Sequence, residues 1–250
     1  MLVLITGASS GLGEALCFEF AKKNVDLLIT ARNSAKLEKI SQTLKPLIQV
    51  KSLTANLSDP ASRKQVVSLI RENAPDLIIN NAGLGLYGPA LEHEVEEELN
   101  IIEVNIKAVV ELTIEAARVM IERGKKGTIL NISSAASFFS APYFCTYAAS
   151  KAFINQFSEG FATEVAAYGI SILYACPGQI DTDFRRHASK GYSQQKDWRT
   201  MSAQRAALLI IKQIEQKRSC YIFDWRYLLG VYLGKCLPKT ILHRLFQKTL

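Results

Sequence analysis

The chain has 250 residues, 48% apolar and 21% charged, with a formal charge of +7. This is ordinary globular usage with enough apolar surface for a sizeable core, which excludes a disordered or fibrous chain. The five cysteines (Cys17, Cys145, Cys176, Cys220, Cys236) are scattered, with no C-x-x-C pair and no histidine cluster; neither a disulfide framework nor a zinc site is expected, and a reducing, cytoplasmic compartment is.

Strand and helix patterns alternate along the chain. "LVLIT" (2–6) is a short buried strand, with too short an apolar run for a signal peptide. A helix over 11–24 follows, then a strand at 25–30, a charged helix at 34–44 and a strand at 48–55. Ser58 or Asp59 caps a helix ending near 73, and "DLIIN" (76–80) is a strand. A long helical region spans about 95–123, before a strand at 127–133, a helix at 143–168 and a strand at 170–176. A polar, irregular stretch (183–201), a helix near 202–216 and a last strand, "CYIFD" (220–224), complete the pattern. Short, continuously apolar strands between helices predict a parallel sheet of about seven strands covered on both faces. The expected fold is a single doubly wound, Rossmann-type α/β domain over 1–224, with ligands at the carboxyl ends of its strands and a basic helical tail over 225–250. No uncharged apolar stretch approaches the ~18–20 residues of a membrane span.

"TGASSGLG" (6–13) joins the first strand to the first helix. Glycines there let the backbone approach a pyrophosphate while helix N–H groups and the helix dipole face it. A plain tight turn is the alternative. The second strand ends "TARN". An NAD-preferring fold usually places an acid at this point, whereas Arg32 suits a 2′-phosphate through charge-assisted, bidentate bonds, and Asn33 can add another. No acid stands there, so NADP(H) is the expected cofactor; an exposed arginine without a role is the alternative. In "TYAASK" (146–151), Tyr147 and Lys151 fall four positions apart on a helix, a spacing also common in ordinary surface pairs.

Six motifs in register give these pieces a context: "TGASSGLG", "NNAG" (80–83), Asn105 in "IIEVNI", "ISS" ending in Ser134, "YAASK" (147–151) and "PGQIDT" (177–182). In this order, with thirteen residues from Ser134 to Tyr147, the chain resembles the classical short-chain dehydrogenases/reductases, closely over 1 to about 185 and loosely beyond. The resemblance implies an NADP(H)-dependent oxidoreductase interconverting a ketone or aldehyde and its alcohol. It implies Tyr147 as general acid or base. A free phenol titrates near ~10, so Lys151 is expected to favour the phenolate and to bind the nicotinamide ribose hydroxyls. Ser134 is expected to hydrogen-bond the substrate oxygen, the spacing favouring it over Ser133. Asn105 would hold a proton-relaying water; an ordinary buried amide is the alternative. The cofactor would lie along Gly7, Ser9, Ser10, Gly11, Leu12 and Gly13, with Asn81, Ala82 and Gly83 near the adenine-side ribose. Pro177, Gly178, Ile180 and Thr182 would line the nicotinamide. At the adenine the family usually has an aspartate; here Asn56, followed by Leu57, keeps an acceptor oxygen. No metal is implied, and dimers or tetramers through 95–123 and 143–168 are. A 3-oxoacyl-thioester reductase and a non-catalytic NADP(H)-binding sensor or scaffold stay open as alternatives.

Phe138, Phe139, Tyr143 and Phe144 are expected to wall the substrate pocket, which favours an apolar substrate. Arg185, Arg186, His187, Lys190 and Lys196 belong to a loop where the family carries a mobile lid; they suit an acidic or carrier-linked substrate or are simply solvated. From 217 to 250, seven basic residues (Lys217, Arg218, Arg226, Lys235, Lys239, Arg244, Lys248) stand against Asp224, about +6, leaving the rest near +1. After Pro238, Ile241, Leu242, Leu245 and Phe246 fall on one helical face. Such a helix packs on the cleft or a sister subunit, or lies on an anionic membrane. Nucleic-acid binding is not expected, because no recognition motif accompanies the charge.

Overall fold

The computed structural model describes residues 1–189 and 200–236. Its centre is a parallel sheet of β1 (Leu2–Thr6), β2 (Asp26–Ala31), β3 (Val50–Thr54), β4 (Leu77–Asn80), β5 (Gly127–Ile132), β6 (Ile170–Cys176) and β9 (Cys220–Ile222), in the order β3-β2-β1-β4-β5-β6-β9. The expected doubly wound domain of about seven strands is what forms. Successive residues of a strand point to opposite faces. Val3 and Ile5 therefore meet α1 (Gly11–Ala21), α2 (Ser34–Leu44) and α8 (Ala203–Glu215) on one side. Leu4 meets α3 (Pro60–Asn73) and α5 (Val109–Glu122) on the other, with Val165 of α6 (Cys145–Val165) in the same cluster. Asp59, not Ser58, caps α3: its carboxylate accepts from the backbone N–H groups of Ala61 and Ser62, and Pro60 takes the first helical position.

The chain reverses direction across the sheet between β1 and β4, so the carboxyl ends of these two strands open a crevice. Two stretches depart from the sequence expectation. The long helical region breaks into α4 (Val95–Ile102), a π-helical turn over Glu103–Ala108, and α5. The polar stretch begins with α7 (Asp183–Ser189), and β7 (Ile180–Asp181) pairs in parallel with β8 (Met201–Ser202). The expected tail is helical where it is described, as α9 (Trp225–Cys236), directly after β9. The rest of the expected lid, with Lys190 and Lys196, and the stripe after Pro238 lie outside the described residues.

A buried polar knot holds the strand ends beneath the crevice. Asn131 of β5 accepts from Asn80 Nδ2 of β4 (2.8 Å) and Thr113 Oγ1 of α5 (3.2 Å), and its own Nδ2 donates to Ser158 Oγ of α6 (3.0 Å). Removing it breaks three buried hydrogen bonds at once and leaves Asn80 and Thr113 only each other. Asn131→Ala should therefore cost about 3 kcal/mol, lowering Tm by about 6–12 °C. Thermal unfolding followed by circular dichroism checks this; an unchanged Tm would mean that the knot is not holding the four elements together.

Candidate active site

The floor of the crevice is built where β1 turns into α1. Gly7 sits at φ +67°, and a Cβ there would stand 2.8 Å from Ala82 Cα; one on Gly13 would stand 2.2 Å from the Gly7 carbonyl oxygen. Only glycines let the loop and helix come this close. Asn81 spends its side-chain amide on this loop, donating to the carbonyls of Thr6 (2.9 Å) and Gly7 (3.2 Å). Ser9, Ser10, Gly11 and Leu12 line the same surface, with Thr182 packed on Gly11.

At one end of the crevice Arg32 and Asn33 are exposed on the rim beyond β2. The Asn33 side-chain Oδ1 caps α2, accepting from Lys36 N–H at 2.9 Å, so its side-chain NH2 group is what remains to donate. Lys36 lines this rim as well, a second cation passed over in the sequence because it lies inside a helix pattern. Asn56 turns its side-chain oxygen to the N–H of Ser58 (3.3 Å), which leaves one lone pair for a ligand, and Leu57 is buried beside it.

At the other end α6 lies against the end of β5. Lys151 is buried and its Nζ donates to the carbonyl of Ile132 (2.8 Å). Ser133 Oγ reaches back to the Lys151 carbonyl (3.0 Å) and to Asn155 Oδ1 (2.5 Å). The Ser133 hydroxyl is thus committed to the scaffold. Ser134 instead accepts from Ala136 N–H at 3.1 Å, and it hydrogen-bonds the Tyr147 phenol. Asn155 and Ser137 are supporting residues that the sequence did not reveal: Asn155 Nδ2 donates to Ser137 Oγ (2.8 Å), which donates to the Ser134 carbonyl (2.6 Å). Asn105 enters from the π-helical turn; its amide accepts from Leu84 N–H (2.8 Å) and donates to the Leu84 carbonyl (2.9 Å) and Ser150 Oγ (3.0 Å). A Cβ on Gly83 would lie 3.4 Å from Asn105 Oδ1 and 3.5 Å from Lys151 Nζ, so all three converge.

Charge is disfavoured here. Burial pushes the Tyr147 phenol up to about 12, the Ser134 hydrogen bond pulling it only part of the way back. Burial also pulls the Lys151 ammonium down to about 8. The expectation that Lys151 lowers the phenol is not met in this arrangement. Its Nζ is bound to Ile132 and lies 5.8 Å from the Tyr147 ring centroid, while apolar rings surround the phenol.

Those rings make the wall. Phe144 stacks on Tyr147 with centroids 4.2 Å apart, and Phe184 of α7 tilts against it at 5.7 Å. Phe139, Tyr87 and Tyr227 complete the lining, the last from α9. Of the four expected wall residues, Phe139 and Phe144 line the cavity; Tyr143 packs on Tyr87 behind it, and Phe138 is not part of the lining. Pro177, Gly178, Ile180, Thr182, Arg185 and His187 also face the cavity, and Gly178 lies so close under Tyr227 that a Cβ would be 2.2 Å from its ring. A continuous cavity of about 1080 Å³ joins the cationic rim to this aromatic end. Its glycine floor and opposite ends fit an extended anionic ligand lying beside a smaller apolar one.

The family model of the short chain dehydrogenases matches residues 1–193. The chain is 33% identical over 190 residues to the 3-oxoacyl-(acyl-carrier-protein) reductase FabG of Escherichia coli, covering 75% of this chain and 77% of that protein. It is 26% identical over 253 residues to the dehydrogenase/reductase SDR family member 7 of Homo sapiens, covering 95% and 74%. A short-chain dehydrogenase from Sphingobium yanoikuyae, solved in complex with NADPH, superposes with a TM-score of 0.82 at 27% identity over 94% of each chain. With the family model covering most of its length and the sheet order and crevice described above, this chain belongs to the short-chain dehydrogenase/reductase family of oxidoreductases.

Proposed function

We propose that the protein is an NADP(H)-dependent oxidoreductase that interconverts apolar ketones or aldehydes and their alcohols, with its catalytic machinery in residues 1–224. The observation that carries this reading is the meeting of Asn105, Ser134, Tyr147 and Lys151 at the aromatic end of a glycine-floored crevice. Gly7, Gly13, Asn81, Ala82 and Gly83 would hold the dinucleotide's backbone, and Arg32 with Lys36, the latter 4.0 Å from Asp183, would meet a 2′-phosphate at the rim. When bound, the dinucleotide supplies or accepts the hydride. Everything else is done by this chain. Ser134, which hydrogen-bonds the Tyr147 phenol when no substrate is bound, would turn its hydroxyl proton to the carbonyl oxygen. Tyr147, a protonated phenol that burial pushes further above neutrality, gives its proton to that oxygen. Lys151, whose ammonium burial has made a better acid, then favours return of the proton to the phenol, and Asn105 beside it would hold the water that relays it. The apolar wall of Tyr87, Phe139, Phe144, Phe184 and Tyr227 selects the substrate.

The 3-oxoacyl-thioester alternative draws support from Arg185 and His187 at the cavity and from the FabG likeness; the assay below ranks it. Self-association through α6 is supported by the stacked ladder of Phe153, Phe157 and Phe161, with Phe153 exposed.

NADPH consumption, measured against carbonyl compounds graded by size and polarity and against a 3-oxoacyl thioester, should be fastest on apolar ketones or aldehydes. Tyr147→Phe should cut kcat by roughly 10²–10⁴-fold and leave NADPH binding nearly unchanged. NADPH binding without turnover across the panel would instead favour the sensor. Arg32→Ala should lower kcat/KM for NADPH by about 10–100-fold and leave that for NADH alone, because a charge-assisted bond is worth ~1.5–3 kcal/mol. Equal losses with both cofactors would remove Arg32 from the 2′-phosphate.

Lys151 is kept against the interests of the fold. Below about pH 8 its ammonium is charged in folded and unfolded chains alike, and the whole cost of burying it is present. As pH rises from about 8 to the ordinary 10.5, the unfolded chain binds more protons and that cost fades. Lys151→Met should thus abolish turnover yet raise Tm at neutral pH by about 2–8 °C, through the roughly 1–2 kcal/mol left after the hydrogen bond to the Ile132 carbonyl is lost. Scanning calorimetry across pH should show the gain shrinking above pH 8.

A further inference from the structure

We propose that the outward face of α9 docks the protein on an anionic lipid surface. The helix has two apolar faces with different neighbours. Tyr227 and Val231, one turn apart, point inward: the Tyr227 ring covers Gly178, and Val231 is buried. On the opposite side Trp225, Leu228, Leu229 and Tyr232 are 70%, 38%, 50% and 61% exposed. Their spacing of three, one and three residues places them in one stripe along two turns. A helix that only roofs a cavity would carry polar residues there.

Charge and residue type identify the occupant. Trp225 and Tyr232 stand at the two ends of the stripe with leucines between, the arrangement of side chains that settle at a membrane–water boundary. The chain from 217 to 250 bears about +6 while the rest is nearly neutral, so the positive charge is concentrated in the stretch of sequence that contains the stripe. Two turns of apolar surface alone would hold a bilayer weakly; a shallow insertion joined to a basic segment gives the two signals that stable peripheral binding needs. A second copy is a poorer occupant, because it would bring two such segments together and like charges repel. This inference goes beyond the oxidoreductase reading and does not rest on it.

The test uses the full chain with phosphatidylcholine vesicles, with and without phosphatidylserine. Cosedimentation should be strong with the anionic vesicles, weak with the neutral ones, and diminished by salt. Leu229→Asp changes an exposed position remote from the crevice floor and should weaken binding to anionic vesicles at least tenfold, with Tm unchanged. Absence of cosedimentation in the unmodified protein would overturn the proposal. So would binding that Leu229→Asp leaves intact, since the basic residues alone would then be responsible. Loss of an oligomer in that variant by sedimentation velocity, without loss of lipid binding, would assign the stripe to a second copy instead.

Discussion

The site depends on how one helix is bound to one strand. Lys151 reaches from α6 to the Ile132 carbonyl, Ser133 reaches back to the Lys151 carbonyl, and Asn155 closes the loop through Ser133 and Ser137. These bonds lie in a buried setting, where an unmade hydrogen bond is expensive, so the helix has one acceptable position on the strand. Tyr147 and Ser134 then face each other as a consequence of the scaffold, and the geometry does not await a ligand.

Burial does a second job. The same desolvation that destabilises an ammonium at Lys151 and a phenolate at Tyr147 brings one group's proton affinity down and the other's up. In water a phenol and a lysine amine bind protons about equally well. Here they are separated, with the phenol the tighter holder, so in the proposed reaction the two have a definite order in which protons are lost and regained. The aromatic wall around the phenol also keeps water from erasing this separation.

Much of this was legible in the sequence, and what was not has physical reasons. Continuous apolar runs as short and β-branched as "LVLIT" and "ISILYAC" favour buried strands, and the glycine loop, the Ser134–Tyr147 spacing and the capped start of α3 are local patterns. The helix over Asp183–Ser189 escaped because its residues are polar and its register is set by contact with the cavity. Asn33 and Asn56 read as ligand groups, yet each first satisfies a neighbouring backbone N–H, the commonest use of asparagine near a turn. Phe184, Tyr227 and Asn155 reach the site from separate stretches of chain, and no spacing rule announces such long-range neighbours.

The π-helical turn over Glu103–Ala108 has a consequence for how this region can change in evolution. It holds an extra residue within a helical path, so α4 and α5 are out of phase: α4 packs on α6, whereas α5 packs on α3. Losing one residue there would make a smoother helix, but it would rotate one half against the other by roughly 100°. Asn105 would swing away from Gly83 and Lys151, and α4 would lose its partner. The segment can therefore exchange side chains far more freely than it can change length, and its residue count, more than its composition, is what inheritance must preserve.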